Sequence, residues 1–277
     1  MTEARENLSV SAGCGGALVR LTLADLLRTK RAVLGAVVLL APVVFALYWS
    51  FAEHMTGDAL YQWGIIFIRA YLNFTIPFLA LLAGATLIST DRESQTLVYL
   101  LTRPVPRWKI ALVKFLTAAA LCIVALAASM AVAFGAVALH FHGVPIPSQP
   151  HPVLEALPYA LTLGGVGAAA MIVYLALFFL AGMALKRPIV LGVIFIIFWE
   201  GLIGYMKGII RFATVVHYLR SLAIDVTEKT VSLPSILTVQ AAPAWAAATV
   251  LAVLAAASLA LALAWFSRAE YPTSPDR

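Results

Sequence analysis

Six long apolar runs, 32–51, 70–89, 115–139, 159–185, 189–206 and 241–267, divide this chain, and Glu200 is the one charged residue inside any of them. About 20 apolar residues in a helix cover the ~30 Å hydrocarbon core of a bilayer, so each run is expected to span a membrane. The polar connections differ in sign. Arg5, Arg20, Arg28, Lys30 and Arg31 precede the first run; Arg92, Arg103, Arg107, Lys109 and Lys114 separate the second from the third. Lys186 and Arg187 separate the fourth from the fifth, and Arg268 and Arg277 follow the sixth. Only Arg69, Lys207, Arg211, Arg220 and Lys229 fall on the alternate side, which leaves fourteen of the nineteen basic residues on one face. Lys and Arg accumulate on the cytoplasmic side of membrane proteins, so both termini are expected inside.

Three shorter segments have helical periodicity without the length to cross. Over 17–31 the leucines Leu18, Leu21, Leu23, Leu26 and Leu27 interleave with Arg20, Asp25, Arg28, Lys30 and Arg31, the pattern either of an amphipathic helix at a headgroup interface or of the cytoplasmic flank of the first span. Over 209–223, Ile209, Phe212, Val215, Val216, Leu219, Leu222 and Ala223 share one side, and Arg211, Thr214, His217, Tyr218 and Ser221 the other. This predicts an interfacial helix on the outer face between the fifth and sixth spans. The third is the charged island 90–109. Thr90 and Glu93 have the spacing of a capping box, in which each side chain satisfies a backbone N–H that the first helical turn leaves open. Leu97, Val98, Leu100 and Leu101 then share one side of the helix, with Arg92, Gln95, Tyr99, Thr102 and Arg103 opposite. Pro104 ends it, because the residue before a proline is pushed out of the α region.

Composition sharpens the class: 62% of residues are hydrophobic and 12% charged, far too apolar for a soluble domain of 277 residues. The expected fold is an all-α integral membrane protein with six transmembrane helices. Residues 1–16 are read as a disordered tail and not a cleaved signal peptide, 17–267 as one membrane domain, and 268–277 as a cytoplasmic tail. The net charge of +6 is spread over short flanks of apolar runs, where it orients helices and forms no nucleic-acid surface. Cys14 and Cys122 lie in a polar tail and an apolar run, a placement that makes neither a disulfide nor a thiolate metal site.

The island, Asp91-Arg92-Glu93-Ser94-Gln95-Thr96-Leu97-Val98-Tyr99-Leu100-Leu101-Thr102-Arg103-Pro104-Val105-Pro106-Arg107, closing with Val113-Lys114, resembles the loop between spans two and three of the ABC-2 type transporter permeases. Gln95 and Val113 stand where that family commonly has glycine. The resemblance implies that the island is a cytoplasmic coupling helix seated in a cleft of an ATPase. Asp91, Arg92, Glu93, Thr96, Leu97, Leu100, Leu101, Arg103, Pro104 and Arg107 would make that coupling surface. It further implies a multi-pass permease in the cell membrane, working as an exporter with a cytoplasmic ABC ATPase and a second permease copy or paralogue. The chain has no Gly-x-x-x-x-Gly-Lys-Ser/Thr loop to cradle phosphates. No catalytic residue and no cofactor is therefore expected in it, and ATP with its Mg would be bound by the partner. The alternative of another class is a six-span membrane enzyme or assembly factor without a motor.

Three further features carry expectations. An acidic side chain within a span must find a partner or water, and Glu200 is expected to pair with Arg69 or to contact substrate. His140, His142 and His151 are read as polar loop residues, since no cysteine or carboxylate completes a metal shell. Alanines at 244, 248, 252, 256, 260 and 264 form a ladder of small residues, a face along which helices pack closely in lipid.

Overall fold

The computed structural model describes residues 16, 18–27, 30–51, 59–87, 107–142, 153–205, 209–228 and 242–268. The elements are α1 (Leu18–Leu27), α2 (Lys30–Phe51), α3 (Ala59–Ile66), a π-helical segment Phe67–Thr75, α4 (Ile76–Gly84), α5 (Arg107–His142) and α6 (Val153–Ala184). They continue with α7 (Pro188–Ile194), a second π-helical segment Phe195–Leu202, 3-10 turns Ile203–Tyr205 and Ile209–Ala213, α8 (Val215–Glu228) and α9 (Ala244–Arg268). Among the described residues every element is helical, as lipid demands: a helix satisfies its own backbone N–H and C=O groups where no water can.

Four helical stretches are long and apolar enough to cross a membrane: Gln62–Gly84, Trp108–Leu139, Leu157–Ala184 and Ala244–Arg268. A fifth arises if Leu18–Leu27 and Ala32–Tyr48, bent by 68°, are taken as one span, and Pro188–Leu202 is apolar but shorter. The second helix begins well before the apolar run 70–89, because Arg69 interrupts the run without interrupting the helix and stands exposed on its surface. Helix continues into both ends of the segment 140–158, with α5 reaching His142 and α6 starting at Val153. Near Lys186 the chain reverses, and Pro188 opens α7 at its first turn, where a missing N–H costs no hydrogen bond.

The first π-helical segment lies just before Pro77, whose ring clashes with the carbonyl four residues back in a regular helix. Widening the turn moves that carbonyl aside, and Ile76 donates its N–H to Tyr71 O, five residues back. Fully buried Trp63, Phe67 and Tyr71 point from this helix into the bundle. There Ser129 Oγ donates to Leu39 O at 2.7 Å and meets the Tyr71 hydroxyl at 3.1 Å, tying α2, the π turn and α5 together.

At the centre is α6, packed against α4, α5, α7, α8 and α9. Its approach to α4 is backbone to backbone. A Cβ at Gly182 would stand 2.7 Å from Ala85 O, and one at Gly84 would stand 3.0 Å from Leu175 O. Association in lipid relies on close packing, so removing this approach should be felt directly. Gly182→Ala is expected to part the two helices and cost about 1–3 kcal/mol, read as a lower melting temperature of the purified protein in detergent. An unchanged melting temperature would show that the contact yields freely.

The alanine ladder faces away from this bundle: Ala248, Ala252, Ala256, Ala260 and Ala264 are exposed. The face of α9 packed on the rest of the chain is instead Ala247, Leu251, Ser258, Ala262 and Phe266. The periodicity of small residues was real, but within the chain it is the neighbouring face that packs.

Candidate functional site

Among the described residues, the densest set of buried polar contacts surrounds α8. Its helix starts at Val215, after the 3-10 turn Ile209–Ala213, and not at Ile209 as the periodicity predicts. Thr214, at the junction, donates its hydroxyl to Arg211 O at 2.7 Å. The first-turn N–H groups of α8 then point at the second π-helical segment. Val215 N–H donates to Glu200 Oε1 at 3.1 Å and Val216 N–H to Glu200 Oε2 at 2.8 Å. A carboxylate at this end satisfies two donors that no intrahelical carbonyl can reach and lies at the positive pole of the helix. Glu200 is 2% exposed, so this bidentate cap is formed out of water. The Tyr174 hydroxyl lies beside the carboxylate without reaching hydrogen-bond geometry, and the charge of Arg220 acts on the same group.

Further anchors hold α8 along its length. Arg220 donates from Nη2 to Asn73 Oδ1 at 2.6 Å, from Nε to the same oxygen at 3.2 Å, and from Nη1 to Gly204 O at 3.3 Å. Ser221 Oγ accepts from Ala242 N–H at 3.0 Å, at the entrance to α9. Near its C-terminus, Thr227 Oγ1 accepts from the Tyr159 hydroxyl at 3.0 Å. One short helix is thus fastened to the helices that carry Asn73, Tyr159 and Glu200 and, through Ala242, to the entrance of α9. Its polar residues His217 and Ser221, and Arg211 and Thr214 just before it, are buried, so the face expected to meet water or headgroups is covered by protein. His217 packs edge-on against Phe212 and Tyr218. Burial, and then the Arg211 and Arg220 guanidiniums, hold its imidazole below the ordinary histidine range, which leaves it neutral at pH 7.

Of the residues singled out in the sequence, Glu200 is in this cluster and Arg69 is not: Arg69 is exposed, and the Glu200 oxygens are taken by α8. Asn73 and Arg220 were missed as a pair. The signal for Asn73 was a polar side chain inside an apolar run, but nothing local names a partner 147 residues away. The coupling positions Asp91, Arg92, Glu93, Thr96, Leu97, Leu100, Leu101, Arg103 and Pro104 lie outside the described residues. Arg107 opens α5, followed by exposed Trp108 and Lys109, the ammonium standing 5.6 Å from the Trp108 ring centroid. Among the histidines, His140 and His142 end α5, and His151 lies outside the described residues. Among the described residues no group of three His, Cys, Asp or Glu side chains is placed to hold a metal.

These features define a multi-pass helical membrane protein whose spans are joined through a buried polar cluster. Its family follows from comparison along most of the chain: the model of the ABC-2 family transporter proteins matches residues 17–271, and the chain belongs to that family. Membership makes it a transmembrane component of a transporter and not itself an ATPase; permeases of this family work with an ATPase subunit. No curated protein matches the chain.

Proposed function

We propose that this chain is the membrane-spanning subunit of an ATP-driven exporter, crossing the cell membrane six times with both termini in the cytoplasm. It pairs with a second copy or a paralogue, and a separate cytoplasmic subunit binds and hydrolyses ATP with Mg. The observation that carries this reading is the family match over residues 17–271. The packing supports a route for the force. In sequence the coupling segment 91–107 follows the helix that ends at Gly84, and that helix is clamped on α6 through Gly84 and Gly182. The same helix carries Asn73, which holds Arg220 of α8, while α8 is capped by Glu200. A displacement at the cytoplasmic end is thereby passed along one rigid element to the helix on the opposite face, with α8 as the part that moves. π-Helical turns occur often at functional sites, and both of those here lie at this polar layer.

Two measurements test the reading. Affinity-purified full-length protein from its native membrane should retain an ATPase with a phosphate-binding loop; a chain that purifies without one and transports nothing on reconstitution with it is not a permease subunit. Orientation is tested by single cysteines. Those at Asp58, Gln149 and Lys229 are expected to react with an impermeant thiol reagent in intact cells, and those at Gln95 and Lys186 are not. Reaction at Gln95 from outside would reverse the topology.

A further inference from the structure

A cavity of about 240 Å³ lies between α1, α2, α4 and α5, remote from the polar cluster at α8. Its shaft is aliphatic, formed by residues such as Leu39, Leu79 and Leu121, whereas Thr22, Asp25, Thr86 and Lys114 give it polar walls. These are segregated along the helices. Lys114 precedes Leu121 by seven residues on α5, about 10 Å at 1.5 Å per residue, and Thr86 follows Leu79 by the same interval. Lys114 and Thr86 therefore lie at the same end of α5 and α4, where Lys114 reaches Leu87 O, with Thr22 and Asp25 supplied to the cavity wall by α1, and the apolar residues lie further along both helices. At this end Lys114 is 4% exposed, its Nζ donating to Leu87 O at 3.5 Å. Asp25 is part-exposed on α1, which is bent by 68° from the following helix and roofs the cavity. The volume is below the roughly 300–1,000 Å³ of pockets that enclose whole drug-sized ligands, and suits a segment of chain.

We propose that this cavity is a phospholipid site: one acyl chain fills the shaft, and a phosphoethanolamine headgroup lies between Lys114 and Asp25, phosphate toward the ammonium and amine toward the carboxylate. A zwitterion matches both charges at once. A primary amine donates hydrogen bonds to Asp25, which the quaternary amine of phosphatidylcholine does not, and an anionic headgroup leaves Asp25 opposed. The site is independent of the transport reading, since it requires only the chain in a bilayer.

The test uses the full-length protein, delipidated in detergent and titrated with phosphatidylethanolamine, phosphatidylcholine or phosphatidylglycerol under native mass spectrometry. Phosphatidylethanolamine is expected to be retained about tenfold more strongly than either of the others, the scale of one charge-assisted hydrogen bond. Asp25→Asn should abolish its advantage over phosphatidylcholine. A phosphatidylethanolamine with a photoreactive acyl chain should label Leu121 and Ala125, and Ala36→Phe, which fills the shaft from α2, should remove that label. If Ala36→Phe fails to fold, Asp25→Asn, at a part-exposed position, still decides the matter. Equal retention of the three lipids, or labelling of the exposed Val132 and Trp245 as strong as that of Leu121, would mark ordinary surrounding lipid and overturn the proposal. Displacement of the bound lipid by free phosphoethanolamine would overturn the role of the acyl chain.

Discussion

Glu93→Ala and Arg92→Glu are expected to abolish the stimulation of the partner ATPase by this subunit while leaving expression and membrane insertion intact. Both residues lie on the island, where the sequence pattern predicts a capping box between Thr90 and Glu93 and puts Arg92 on the polar side of the expected helix. If the amphipathic helix docks into a cleft of the ATPase, these side chains make charge-assisted contacts across a small interface. Loss of one partner of a desolvated charge pair costs about 2–5 kcal/mol, enough to separate two subunits joined by little else. An exposed loop behaves differently, because a solvated ion pair is worth only about 0–1 kcal/mol and its loss is hardly noticed. The measurement is ATP hydrolysis by the complex reconstituted in lipid, with each substitution, alongside co-purification of the ATPase. Unchanged assembly and unchanged hydrolysis in both variants would reduce the island to a topological signal.

What the sequence made legible was environment more than geometry. Apolar runs located the helices because lipid exposure and backbone satisfaction act on every residue in them. Charge misplaced their ends. Arg69 and Lys114 interrupt runs, yet both lie within continuous helix, one exposed on its surface and the other buried against Leu87 O. A helix is held by hydrogen bonds four or five residues apart, which are indifferent to a side chain that finds water or a carbonyl. For the candidate site, Glu200 stood out as a buried acid in need of a partner. The partner expected was another charge, Arg69, whereas two backbone N–H groups of α8 take that place. Thr214 is a residue type that favours helix N-caps, and reading the helix as beginning there would have put a positive helix end within view. The Asn73–Arg220 contact had no such local signal, since it exists only through the packing of helices distant in sequence.

Glu200→Leu is expected to lower the stability of the protein by about 2–4 kcal/mol and to disable transport, with Glu200→Gln falling between it and the parent. The leucine leaves the N–H groups of Val215 and Val216 without acceptors in a site closed to water. It also removes the negative charge from the end of α8, a contribution of about 0.3–2 kcal/mol depending on burial. Relief from burying a charge offsets part of this, which is why the expected loss stays below the sum of the broken contacts. Glutamine keeps one acceptor and turns the other into an amide donor facing an N–H, so one of the two caps survives. The order parent, Gln, Leu should therefore appear in the melting temperature of the purified protein. It should appear again in transport, because α8 with a loosened start is no longer held in register with Asn73 through Arg220. A substrate-binding role gives a different pattern: both variants would lose transport equally, with melting temperatures close to the parent. Equal melting temperatures for all three proteins would show that the bidentate cap does not hold α8 in place.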